Sequence, residues 1–225
     1  MSSGSFDLAP GVTGYELDPS REDEVGVPLT LHTTQGNLRV ALHRSHSPSS
    51  GIVWVYGAWG GLDGPADGIY PTVAEDLLTR SLTSLRVDYR DPRDLSKSVL
   101  DTLAGVSFLK YLGCSKVALV GHSFGGAVVI SAAPLSQEVT AVVALSSQTA
   151  GARNVSMVSP RPILLVHGEA DTRLPPSCSQ DIYQWAKEPK ELVLFPGATH
   201  GLRQCKDQLR DLLNEWLTRN LEKPR

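Results

Sequence analysis

Apolar positions in this chain fall into short blocks separated by polar and glycine-rich text. Six blocks follow one another from residue 52 onward: IVWVY at 52–56, SLRVDY at 84–89, KVALVG at 116–121, VTAVVAL at 139–145, PILLVHG at 162–168 and ELVLFPG at 191–197. Their length and β-branched content predict strands. Several are almost continuously apolar, the pattern of strands covered by helices on both faces of a parallel sheet. Upstream, VPLTLHTT and NLRVALHR alternate in part and are separated by Gln35-Gly36, which predicts a hairpin at the start of the sheet. HSPSSG then reads as a loop.

Between the blocks, helical segments are predicted at 71–80, 95–112, 123–134, 178–188 and 203–219. In the second of these, Leu95, Val99, Leu103, Val106 and Leu109 recur at helical spacing and can face a sheet. Strands alternating with helices predict an α/β fold: a mostly parallel central sheet with helices on both faces, a three-layer sandwich. No internal repeat interrupts it. Residues 1–24 are rich in Ser, Gly, Pro and acidic groups and read as an N-terminal tail or surface segment, leaving 25–225 as a single domain.

Composition narrows the function classes. With 225 residues, 41% hydrophobic and 20% charged, the chain has the make-up of an ordinary globular protein with one core. Lys and Arg (21) nearly balance Asp and Glu (24) and form no dense patch, so neither a nucleic-acid groove nor an anionic membrane surface is expected as a partner. The opening MSSGSFDLAPG has no basic and apolar leader pattern, and no apolar run reaches the length needed to span a bilayer; no membrane insertion is expected. Cys114, Cys178 and Cys205 are odd in number and lack a CxxC pair, which argues against a disulfide framework or a thiolate zinc site and for a reducing, cytoplasmic setting. No motif calls for a metal or other cofactor. The oligomeric state stays open between monomer and homodimer.

The stretch KVALV-GHSFGG-AVVISAA carries the chemistry. A strand, a sharp glycine-flanked turn and a helix give GxSxG a mechanical meaning: Ser123 sits on the turn with its hydroxyl exposed at the carboxyl edge of the sheet, and Gly121 and Gly125 let strand and helix pass closely. The competing reading makes Ser123 an N-cap in an ordinary turn. A phosphate loop is disfavoured, because GHSFGG has neither a GKS or GKT ending nor GxGxxG spacing. An alcohol nucleophile needs an imidazole base oriented by a carboxylate. LLVHGEADTRLPP places Asp171 in the loop after one late strand, with Glu169 as a rival carboxylate, and ELVLFPGATHGL places His200 in the loop after the next.

Through GHSFGG, HGEADTRLP and PGATHG, in that order, the sequence from about 27 to 219 resembles the α/β-hydrolase superfamily, closest to its small dienelactone-hydrolase-like and serine-esterase-like members. The resemblance implies an α/β-hydrolase fold with Ser123 as nucleophile, Asp171 as triad acid and His200 as base. His122 and His167 match packing or hydrogen-bonding positions. It also implies an oxyanion hole formed by the amide of Phe124 and one from VWVYGAWGGLDG: Ala58, with Trp59 as the alternative. Tyr56-Gly57 stands where the family usually has His-Gly, and Ser123 stands where dienelactone hydrolases characteristically carry cysteine. Tyr56 and Trp59 are the candidate substrate-binding side chains, Trp59 having a core role as its alternative. Asp91, Arg93 and Asp94 form either a polar substrate contact or a solvated face.

Only about 16 residues separate the fourth block from the fifth, so no sizeable cap domain is expected. An open pocket for a small acyl substrate follows. The expected activity is serine hydrolysis of a small ester or related acyl compound. A peptidase or amidase of the same fold, or a catalytically silent binding or scaffold protein, are the alternatives.

Overall fold

The computed structural model describes residues 11–21 and 24–222. It contains a nine-stranded sheet in the order β1-β2-β3-β5-β4-β6-β7-β8-β9. The strands are β1 (Val12–Leu17), β2 (Val27–Thr33), β3 (Gly36–His43), β4 (Ser50–Val55), β5 (Leu82–Asp88), β6 (Lys116–His122), β7 (Val139–Leu145), β8 (Ile163–Gly168) and β9 (Lys190–Phe195). The first three and the β3–β5 pair are antiparallel; from β5 through β4 to β9 every pairing is parallel. Among the described residues, α1 (Pro65–Leu78), α2 (Leu95–Tyr111), α3 (Phe124–Ala132) and α4 (Ser177–Trp185) lie between strands, and α5 (Lys206–Leu221) follows β9.

The two-residue period of the strands divides the core. Val53, Val55, Leu119 and Leu165 face α2, α3 and α4, packing with Phe108, Val128 and Ile182. Ile52, Trp54, Val120 and Val166 face the other way, onto Ile69 and Val73 of α1 and Leu213 and Trp216 of α5. Both faces of the inner strands are therefore dry, the reason their sequence is continuously apolar.

Three details differ from the sequence expectation. Residues 12–17, within the segment read as a tail or surface segment, pair with β2 as the edge strand β1, while residues 1–10 and 22–23 lie outside the described residues. The helix expected at 71–80 begins earlier, at Pro65, through a left-handed turn with φ of 51° at Ala66, 54° at Asp67 and 82° at Gly68. The last helix is entered by a 3-10 turn, Arg203–Cys205.

The chain reverses direction across the sheet at β4: β5 lies on one side of it and β6 on the other. In open α/β sheets such a switch point leaves a crevice at the carboxyl ends of the strands. The register pairs Val55 with Gly121 and Leu145 with His122, bringing the loops after β4 and β6 side by side.

Candidate active site

Ser123 alone joins β6 to α3. Its backbone is left-handed in φ (57°) with ψ of −117°, a conformation costly for a residue with a Cβ. The turn is held by Ser123 N–H donating to the Leu145 carbonyl at 2.8 Å and by Gly126 N–H donating to the Ser123 carbonyl at 3.0 Å. The flanking glycines are required by contact. A Cβ on Gly121 would stand 2.1 Å from the Gly125 carbonyl oxygen, and one on Gly125 would stand 2.2 Å from that of Tyr56. The serine side chain makes no capping bond to α3. Its Oγ lies 3.0 Å from His200 Nε2.

His200 occupies the loop after β9, and its Nδ1 is 2.7 Å from Asp171 Oδ2. A carboxylate only accepts, so Nδ1 carries the proton and Nε2 is left to accept from the Ser123 hydroxyl. Asp171, buried in the loop after β8, receives the amides of Arg173 at 2.8 Å and Leu174 at 3.0 Å on Oδ1. Burial pushes its carboxyl up, but the Leu174 amide, His200 and the Arg173 amide together hold it below the usual range. Glu169, the rival carboxylate, is exposed.

His122 is buried behind the serine and its Nε2 donates to the His200 carbonyl at 2.9 Å, which supports the loop that carries His200. Burial pushes its imidazole down to about 3, so it stays neutral. Tyr56 packs on the His122 ring with centroids 5.3 Å apart.

The loop after β4 closes the other side of the crevice. A Cβ on Gly57 would lie 3.6 Å from that of Ser123, so this backbone runs beside the serine. Gly60 N–H turns back to the Gly57 carbonyl at 3.0 Å, and Gly61 N–H donates to Asp88 Oδ1 at 2.6 Å. Asp88 also pairs with Arg39. Deeper, the fully buried guanidinium of Arg86 donates to the Leu62 carbonyl at 3.1 Å, to His43 Nε2 at 3.1 Å and to Glu24 at 2.8 Å. Asp88 and Arg86 thus anchor the loop, a role not read from the sequence because their partners are remote in the chain. The charged stretch after β5 mostly serves itself: Asp94 accepts from Lys97 N–H to cap α2, and Asp91 pairs with the Lys97 ammonium.

A cavity of about 440 Å³ opens at these loops, lined by Tyr56, Ala58, Trp59, Ser123 and His200 together with Gln148, Arg173 and Leu174, which the sequence reading did not single out. Trp59 is 76% exposed, so it is no core residue, and the Arg93 guanidinium lies 5.9 Å from its ring centre. The link from β7 to β8 carries one 3-10 turn, Val155–Met157, and nothing of domain size. Among the described residues, no group of three or more His, Cys, Asp or Glu is placed to hold a metal, and no helix is long and apolar enough to cross a membrane.

Fold and crevice define an α/β hydrolase. More narrowly, the chain belongs to the dienelactone hydrolase family, whose model matches residues 80–214. Among solved structures it is similar to Est1E from Butyrivibrio proteoclasticus, at 18% identity over 86% of this chain and 98% of that one, with a TM-score of 0.74. It is similar too to a dienelactone hydrolase from Anabaena variabilis, at 19% identity over 86% and 96% of the two chains, with a TM-score of 0.73. A stretch of 56 residues is 43% identical to the uncharacterized protein YfhR of Escherichia coli (strain K12); it covers 25% of this chain and spans only 20% of YfhR's length.

Proposed function

We propose that the protein is a serine hydrolase that cleaves small carboxylic esters through an acyl-enzyme intermediate. The observation that carries this reading is the continuous chain of hydrogen bonds from Asp171 through His200 to Ser123 Oγ, beside an open cavity. His200 takes the Ser123 proton at Nε2 as Oγ attacks the ester carbonyl. Asp171 stabilises the imidazolium so formed. The developing oxyanion is received by the backbone N–H of Phe124, at the start of α3, and of Ala58, with Trp59 as the alternative donor. Collapse of the tetrahedral intermediate passes the proton from His200 to the departing alcohol. A water deprotonated by His200 then attacks the acyl-Ser123 carbonyl, and the acid is released.

An ester is favoured because the cavity is small and has no domain-sized cover. Trp59 and Tyr56 supply an aromatic wall for a short acyl or aryl group. The serine oxygen suits an activated ester, and the family name carries the lactone, a cyclic ester, as the neighbouring substrate class.

Purified protein would be incubated with short-chain p-nitrophenyl esters and with a fluorophosphonate probe, alongside Ser123→Ala. Turnover is expected to fall by roughly 10⁴-fold or more in the variant, with loss of labelling. Turnover that survives Ser123→Ala, or folded native protein that neither turns over nor labels, would overturn the reading.

A further inference from the structure

A second imidazole stands on the triad carboxylate. His167, the penultimate residue of β8, is fully buried, and its Nε2 lies 3.1 Å from Asp171 Oδ2 and 2.9 Å from the Leu174 carbonyl oxygen. Both of those atoms only accept, so Nε2 carries the proton. On the other side of the ring, Nδ1 is 2.7 Å from the Oγ of Ser179, a buried residue of α4, and as the bare nitrogen it accepts the serine hydroxyl. Burial pushes the His167 imidazole down, in keeping with a neutral ring whose tautomer is fixed from both sides.

Asp171 Oδ2 therefore receives two imidazole N–H groups, from His200 at 2.7 Å and from His167 at 3.1 Å. We infer that His167, oriented by Ser179, is a positioning residue that governs how strongly Asp171 draws on the Nδ1 proton of His200, and hence where on the pH axis the base becomes available. The inference rests on the reading of Ser123, His200 and Asp171 as a working triad. A hydrogen bond to a carboxylate spreads its charge and weakens its hold on any other donor. Withdrawing the His167 bond leaves more of that charge to His200, stabilises the imidazolium, and keeps the base protonated to higher pH. A side chain that merely packs between β8 and α4 would change stability without moving this limb.

The titratable groups facing Asp171 are His167 from β8, His200 from the loop after β9 and Cys178 from α4. Those facing His200 are Asp171 and, from β6, His122, whose ring centre is 4.9 Å away; Arg173 and Tyr56 line the same cavity. The substitutions of interest leave all of these in place except His167 itself.

The test compares kcat/KM against pH for native protein, His167→Leu, Ser179→Ala and His167→Gln on a p-nitrophenyl ester. In parallel, NMR of labelled histidine follows the His200 ring directly, without reliance on turnover. His167→Leu is expected to move the acid limb to higher pH, lowering kcat/KM on that limb by roughly 3- to 10-fold while the alkaline plateau changes less. Ser179→Ala, which leaves Asp171 untouched and guards against a misfolded His167→Leu, is expected to move it the same way by a smaller amount. His167→Gln restores an N–H near the Nε2 position and should return the limb toward native. Folded His167→Leu and Ser179→Ala proteins with the native limb and native His200 titration would overturn the inference. Absence of Ser123-dependent turnover in the native protein would instead overturn the hydrolase reading, with the NMR titration still deciding the role of His167.

Discussion

The two walls of the crevice are built by opposite means. On the β6 side, the Ser123 turn is set by close contact of main chains: Gly121 against Gly125, and Gly125 against the Tyr56 carbonyl, with no room for a methyl group at either glycine. On the β4 side, residues 57–62 are loop backbone held from beneath by charged side chains, Asp88 on the Gly61 amide and Arg86 on the Leu62 carbonyl. Packing of this kind has no partial failure, because neither backbone can yield. Polar anchoring can be loosened one bond at a time. The Ser123 wall should respond to substitution as a switch, and the β4 wall by degrees.

The largest expected effect comes from Gly125→Ala. A Cβ there meets main-chain oxygen at 2.2 Å with no flexible side chain to move aside, so strand and helix must separate. Stability is expected to fall by about 3 kcal/mol or more, and kcat/KM, measured on whatever protein folds, by roughly 100-fold or more as Ser123 leaves its line with His200. Near-native activity in Gly125→Ala would show that the elbow tolerates displacement and would remove the contrast between the walls.

Asp88→Ala comes second. It removes the acceptor for Gly61 N–H and the partner of Arg39 but touches none of Ser123, Asp171 and His200. Deleting an oxyanion donor outright costs about 10²–10³ in kcat; if the loop supplies such a donor, as proposed above, loosening it should cost roughly 10-fold. The loss should appear in kcat with little change in KM. Asp88→Asn keeps a carbonyl acceptor and should fall between native and Asp88→Ala. A change confined to KM would mean that the loop serves substrate binding rather than the transition state.

These two walls were not equally legible in the sequence. The strands announce themselves as apolar blocks because both sheet faces are covered, and the elbow as glycines spaced around a serine because only that spacing lets β6 and α3 touch. Asp171 and His200 each follow an apolar block in a short loop, the resemblance to the α/β hydrolases singled out Asp171 over Glu169, and the fold brings both to Ser123. Asp88 sits in a run of charges whose other members, Asp91, Asp94 and Lys97, bond locally around the start of α2. Its own partner lies 27 residues away, and no local pattern separates it from them. Arg86 is more opaque still, a cation read as part of a strand whose acceptors come from Glu24, His43 and Leu62. The edge strand β1 was hidden for a different reason: VTGYEL is short and interrupted by glycine, and its order comes from pairing with β2 and from Tyr15 meeting Phe108 edge-on at 5.2 Å. His167 does carry a local signal, since it precedes Asp171 by four residues across a tight loop, but that spacing alone does not separate packing from contact with the carboxylate.

At neutral pH the smallest effect is expected at the buried histidines, whose contribution appears only on acidification. Each wall has a buried neutral histidine: His122 behind the serine, pushed down to about 3 by burial, and His43 beneath the loop after β4, pushed down to about 4 by burial and then by the Arg86 guanidinium. In the unfolded chain both regain an ordinary value of about 6.5, so below that pH the unfolded state binds more protons than the native one. Stability is therefore complete above about pH 6.5 and is lost as pH falls toward the folded values, by about 3 kcal/mol for His43 once pH reaches 4. His167, likewise held down by burial, adds with the same sign. His43→Gln offers Arg86 Nε an amide oxygen in place of the imidazole nitrogen and cannot titrate. Urea denaturation at pH 7 should then give near-native stability, while between pH 6.5 and 4 the slope of unfolding free energy against pH should lessen by close to one proton. An unchanged slope would place the acid sensitivity with His122 and His167, and so with the Ser123 side of the crevice alone.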